Sequence, residues 1–198
     1  GPYAQASGIW KKDTLPVSTH AEFLRMAFRI PWNEYHEFAS EFNPVNFNAK
    51  EIVSLAKKAG MKYIVFTAKH CDGFSMYDSE YDSFNIKDGT PYGKDILMEL
   101  SKECKKQGIK LGLYYSHVRD WDEYHSVTAY MNDWDWAKDD TARNCQVYLD
   151  AKVKPQLTEL LTNYGDIFCL WFDVPYIITK EQAGEIYDHV KELQPHCL

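Results

Sequence analysis

Long apolar runs are missing from this chain: no stretch of about 18 consecutive hydrophobic residues occurs, so the sequence offers no membrane-spanning helix. Positive charge is also scarce. The net charge is −7 and no segment interleaves clustered Lys and Arg with aromatics, which removes the cationic footprint that nucleic-acid phosphates require. Neither a CxxC pair nor an even, regularly spaced cysteine set is present. The five cysteines, Cys71, Cys104, Cys145, Cys169 and Cys197, describe neither a zinc knuckle nor a disulfide framework, and buried free thiols are expected at Cys104 and Cys169. The dinucleotide fingerprint GxGxxG and the phosphate loop GxxxxGK[ST] are missing, as are internal repeats and low-complexity linkers. What is left is one domain: 198 residues suffice for one well-buried core and are too few for two ordinary ones.

Aromatics, by contrast, are plentiful at 15% of the residues. They can build a core or present flat apolar faces to sugar C–H groups. Trp121, Tyr124, Trp134 and Trp136 fall in a stretch that reads as loop, which favours the sugar reading for them.

Three short runs, residues 62–68 (KYIVFTA), 110–116 (KLGLYYS) and 167–173 (IFCLWFD), are nearly continuous in β-branched, aliphatic and aromatic residues. They are long enough for buried strands and too short for helices. Continuous rather than alternating hydrophobicity suits parallel strands in a covered sheet. Helical patterns separate them. Residues 48–59 start at a capping Asn48 and stop at Gly60, and residues 95–107 start at Asp95 and end before Gly108. A longer helix covers 142–163, where Pro155 predicts a kink or a restart, and a last one covers 180–193 behind a Thr179/Gln182 capping box. This alternation predicts an α/β fold with a parallel sheet, either a barrel or a doubly wound sheet.

Ligands meet such sheets at the carboxyl ends of the strands. Those ends carry Lys69-His70-Cys71-Asp72-Gly73-Phe74, then Tyr114-Tyr115-Ser116, then Trp171-Phe172-Asp173. A strand-end Asp is often a helix cap, but here the next helix starts only near Thr179. A carboxylate beside Trp171 suits a nucleophile or general base. His70 reads as a scaffold hydrogen-bonder or as a neutral donor to a substrate hydroxyl. A divalent site built from His70, Asp72 and Asp173 is disfavoured because His-x-His and Glu-x-x-His spacings are absent, so no metal and no other cofactor is expected.

Together these motifs resemble glycoside hydrolase family 29, the α-L-fucosidases. Residues 69–74 resemble that family's KHHDGF motif, and the preceding YHEFASEFNPVNFNAKEIVSLAKKAGMKYIVFTA resembles its YxxFxxxFNPxxFdAxxWxxLAKxAGaKYxvlT stretch. LGLYYS, KVKPQLTELLTNYG and CLWFD follow in the family's order, and the opening GPYAQ resembles the segment after the family's first strand. The resemblance implies a (β/α)₈ TIM barrel, of which residues 1–198 would supply strands two to four with their helices, truncated at both ends. It implies a retaining exo-acting glycosidase that removes terminal α-L-fucose from glycans. Asp173 matches the nucleophile. His70, Tyr114, Trp171 and Glu22 match sugar-contacting positions, with Phe23 where the family has Trp and Cys71 where it has a second His. The acid/base Glu is expected outside these residues, so the chain alone is expected to be impaired, and a fucose-binding module without turnover is the alternative. Implied partners are a fucosylated glycan and either a second copy or a complementing barrel half; a periplasmic, secreted or lysosomal setting goes with the family.

Overall fold

The computed structural model describes residues 8–15, 20–126, 134–136, 142–175 and 177–198. The GPYAQ opening lies outside them. At its centre is a three-stranded parallel sheet formed by β3 (Tyr63–Lys69), β4 (Lys110–Tyr115) and β5 (Ile167–Phe172), in the order β3-β4-β5. Parallel neighbours need crossover connections. α4 (Ile96–Gln107) supplies the first, and α5 (Cys145–Tyr148) with α6 (Lys154–Asn163) supplies the second. α3 (Ala49–Lys58) precedes β3 and α7 (Lys180–Leu193) follows β5.

Local chemistry sets these boundaries. The Asn48 side chain accepts from Glu51 N at 3.1 Å and that of Asp95 accepts from Met98 N at 3.0 Å, each satisfying an amide that has no partner within its helix. Thr179 and Gln182 form the expected reciprocal capping box. Pro155 lies in the first turn of α6, directly after a π-helical turn at Leu149–Val153. The restart expected at this proline is therefore a widened turn, where its missing N–H breaks no regular ladder.

One face of the sheet is covered. Ala68, Leu111, Leu113, Tyr115, Ile167 and Leu170 pack with Val53, Leu97, Leu100, Cys104, Leu157, Leu160, Ile186 and Val190 from α3, α4, α6 and α7. Each fully buried aliphatic side chain contributes about 1.5–3 kcal/mol, which makes this layer the main stabilising contact. The opposite face carries Tyr63 against Phe168 (ring centroids 5.3 Å apart) and Tyr114 against Trp171 (5.8 Å). Tyr63 and Trp171 are more than half exposed there. Beyond β5, Leu198 donates to Phe168 O at 3.0 Å and accepts from Leu170 N at 2.8 Å, the bonding pattern of a further parallel strand.

A second core lies over residues 8–47, which sequence periodicity did not resolve. A two-residue hairpin, β1 (Ile9–Trp10) with β2 (Asp13–Thr14), is followed by α1 (Leu24–Ala27) and α2 (Trp32–Glu37). Leu24, Ile30 and Tyr35 pack there against Phe74, Phe84 and Ile86 from the loop after β3.

That loop turns at Gly73, where φ is 84° and an added Cβ would lie 2.5 Å from Asp120 Oδ1 and 2.6 Å from Asp122 Cβ. Gly73→Ala is expected to cost about 2–3 kcal/mol, from left-handed strain plus displacement of the Asp120 loop. Urea unfolding of the variant measures it.

Candidate active site

Neighbouring strands in register bring their last residues together. Tyr114 pairs with Thr67 on one side and with Trp171 on the other, and His70 and Asp173 are the first residues past the ends of β3 and β5. The Tyr114 hydroxyl donates to Asp173 Oδ2 at 2.8 Å. His70 stacks nearly parallel on the Tyr114 ring (5.2 Å, 12°), and Trp171 meets that ring edge-on (5.8 Å, 63°). Burial first, then the Asp173 carboxylate it bonds, hold the Tyr114 hydroxyl protonated far beyond its ordinary range. Tyr114 is therefore a fixed donor. Burial also lowers His70, although the Asp72, Glu22 and Asp173 carboxylates pull the other way, so its imidazole is neutral at neutral pH.

Glu22 belongs to this mouth: its charge acts on His70, Cys71 and Tyr114 alike. Phe23, the next residue, turns toward Trp121, with ring centroids 5.9 Å apart. Cys71 is buried, and its Sγ lies 3.0 Å from His70 Nδ1. Asp72 is buried too and accepts from Tyr35 OH at 2.9 Å. Among the described residues no group of three or more His, Cys, Asp or Glu side chains could hold a metal ion.

The chain leaves β5 under strain. Val174 (φ 47°) and Ile177 (φ 62°) both adopt left-handed backbone, which a β-branched side chain resists. This positive-φ backbone begins one residue after Asp173.

Two expectations need correcting, at Trp121 and at Cys169. Trp121 is fully buried under Phe23 rather than offered to a sugar, and Trp134 Nε1 donates to Ile30 O at 2.8 Å. Tyr124 and Trp136 meet edge to face, and the Arg143 guanidinium lies 4.8 and 5.4 Å from their ring centroids. Residues 127–133 and 137–141 lie outside the described set. Cys104 is buried as expected, but Cys169 is only half-buried, and a Cβ on Gly112 would lie 2.5 Å from its sulfur. All five cysteines are free.

Two groups beneath the mouth escaped sequence reasoning. Lys69 and Asp120, both with fully buried side chains, pair at 2.8 Å; Tyr148 OH lies 2.5 Å from Lys69 Nζ. Lys152 adds a second ammonium 3.3 Å from Asp120 and also meets Asp82 (2.6 Å) and Glu123 (2.9 Å). His117 is buried against Phe172 (4.9 Å), and among the described residues its Nδ1 has no hydrogen-bond partner. Burial, then the Lys69 charge, push the His117 pKa down to about 4.

Between about pH 4 and 6.5 an unfolded His117 binds a proton that the folded one refuses. Stability therefore rises with pH across that window and is lost as pH falls through it, by up to about 3 kcal/mol. His117→Gln is expected to flatten that part of the stability–pH curve, as chemical unfolding at pH 4.5 and 7 would read directly.

A separate groove of about 830 Å³ lies at the opposite, amino-terminal ends of β4 and β5, lined in part by Lys102, Lys105, Lys110, Tyr164, Asp166 and His196. None of the Asp173 group borders it.

The α-L-fucosidase family model matches residues 1–196. The chain belongs to the α-L-fucosidase family. It is 35% identical over 144 residues to α-L-fucosidase 1 of Arabidopsis thaliana, covering 72% of this chain and 25% of that protein. To the human plasma α-L-fucosidase it is 30% identical over 166 residues, covering 83% of this chain and 32% of that one. Among solved fucosidases, AlfC from Lactobacillus casei in complex with α-L-fucose product superposes with a TM-score of 0.93 at 41% identity, over 100% of this chain and 64% of that one. The Vibrio sp. strain EJY3 α-L-fucosidase gives 0.92 at 39% identity, over 100% of this chain and 34% of that one. The fucosidase likeness thus runs through the whole α/β unit, while the chain spans about a quarter to a third of the length of these curated relatives. Among the described residues, no helix is long and apolar enough to cross a membrane.

Proposed function

We propose that this chain supplies strands two to four of a (β/α)₈ barrel in a retaining exo-α-L-fucosidase, with Asp173 as the nucleophile. The observation that carries this reading is the Tyr114–Asp173 hydrogen bond, made at the carboxyl ends of two parallel strands beside His70 and Trp171. Barrel closure is favoured because, among the described residues, α3, α4, α6 and α7 pack on the same sheet face and Leu198 begins a further ladder on β5. A doubly wound sheet would need helices on both faces.

In this mechanism Tyr114 anchors Asp173 Oδ2, and Oδ1 attacks the anomeric carbon to form a glycosyl ester. A second carboxyl, outside these residues, protonates the leaving oxygen and then activates the water that cleaves the ester. Neutral His70, Trp171 and Glu22 hold the fucose ring and its hydroxyls, and Phe23 and Cys71 complete the wall around them. Terminal α-L-fucose on a glycan is the substrate, and a complementing barrel half or a second copy is the partner. Complexes of an AlfC mutant with Fucα(1,6)GlcNAc and with 4-nitrophenyl-α-L-fucopyranoside support a fucosylated ligand class for this site.

Intact-mass measurement after treatment with a 2-deoxy-2-fluorofucosyl donor bearing an activated leaving group tests the reading, because such a donor needs little acid assistance. The expected result is a gain of one fluorofucosyl unit that Asp173→Ala abolishes. Absence of label on folded protein that still binds fucose would favour the sugar-binding module instead.

A further inference from the structure

We infer that Cys71 is a positioning residue that sets the proton on the neighbouring imidazole: its thiol donates to His70 Nδ1 and thereby leaves the ring N–H on Nε2. The inference rests on the fucosidase reading and deepens it, since it assigns Cys71 a task other than touching the sugar.

Three observations converge. The sulfur lies 3.0 Å from Nδ1, and Cys71 is buried at 3% exposure, so water does not compete for that nitrogen from the thiol side. The ring cannot swing away from this contact, because it stacks on Tyr114 at 5.2 Å and 12°, and Tyr114 is itself tied to Asp173. Both partners are neutral: burial, then the Asp72 charge, hold the thiol protonated, and burial lowers His70 below its ordinary range.

A neutral imidazole carries one donor and one acceptor, and sulfur is a poor acceptor beside a ring nitrogen. The favoured arrangement is therefore S–H donating to Nδ1. Nε2 becomes the only donor on the His70 ring, suited to a sugar hydroxyl or ring oxygen and not to a proton-abstracting role. Cys71 thus gives a histidine with a fixed polarity, in addition to its place in the wall of the site.

Long-range ¹H–¹⁵N correlation spectra of the histidine-labelled full-length protein, with the His70 signal assigned by its loss in His70→Asn, test this without any substrate. The expected pattern is a single neutral tautomer with the proton on Nε2. Cys71→Ala is expected to shift the tautomer ratio toward Nδ1–H by about three- to tenfold, the worth of one neutral hydrogen bond, and Cys71→Ser, which keeps a donor, is expected to restore it. The same variants should raise KM for an aryl fucoside by a similar factor in Ala and less in Ser, with kcat nearly unchanged. A doubly protonated ring would mean a thiolate–imidazolium pair and would overturn the inference, as would an unchanged tautomer in Cys71→Ala. Fucose titration of the wild-type spectrum reports separately on the fucosidase reading: no response there, with the tautomer as expected, sinks the substrate and leaves the Cys71 assignment standing.

Discussion

Asp173→Ala in the full-length protein is expected to lower turnover of an aryl α-L-fucoside by about 10⁴-fold or more, the scale on which loss of a catalytic nucleophile acts. The argument is geometric. Asp173 directly follows β5, and Tyr114 OH fixes one of its oxygens at 2.8 Å, so the carboxylate is held before any substrate arrives. A preset nucleophile removes orientational entropy from the attack. Alanine leaves a void the size of a carboxylate on the attacking side, and azide is expected to fill it and restore turnover of a fucoside with a good leaving group. That rescue separates a lost nucleophile from a misfolded protein. Retention of activity within about tenfold of wild type would remove Asp173 from the role.

The largest stability effect is expected at Asp120→Asn, at about 3–5 kcal/mol, because the change leaves the buried Lys69 ammonium without its counter-charge. For a chain of this size that corresponds to roughly 6–20 °C in Tm. Burial by itself would raise the Asp120 carboxyl, but Lys152 and Lys69 hold it well below the ordinary aspartate range. The folded form thus gives up its proton more readily than the unfolded one does. Its stabilising contribution is complete above about pH 5 and is lost as pH falls through and below the ordinary value of about 3.9. Calorimetry at pH 7 and pH 3 should find the Asn variant's deficit shrinking at the lower pH. Lys69→Met combined with Asp120→Leu should recover most of the loss, since removing both charges ends the desolvation cost together with the attraction.

How much of this was legible in the sequence depends on the range of the interactions. The strands β3, β4 and β5 and the helices α3, α4 and α7 announced themselves through continuous apolar runs and local caps such as Asn48, Asp95 and Thr179. Parallel strands end on one side, so the sequence alone gathers His70, Tyr114, Trp171 and Asp173. The region of α1 and α2 gave no such signal, because helices of four and six residues are too short to show a period. Lys69 and Asp120 stand 51 residues apart, and no local pattern pairs them. Trp121 misled for a related reason: a loop aromatic looks the same in sequence whether it faces solvent or, as here, plugs the space beneath Phe23. Nothing in the sequence marked the contact between Cys71 and His70 as more than adjacency.

The left-handed backbone at Val174 and Ile177 bears on how this protein would respond to directed evolution. Glycine at either position relieves the steric conflict, and each relief is worth about 1–3 kcal/mol in the folded state, less the added freedom of the unfolded chain. A library sorted for heat resistance alone would therefore be drawn to the residues just past Asp173. On the proposed nucleophile reading, the same substitutions would free the backbone next to that carboxylate, so the sturdiest winners should be among the slowest catalysts.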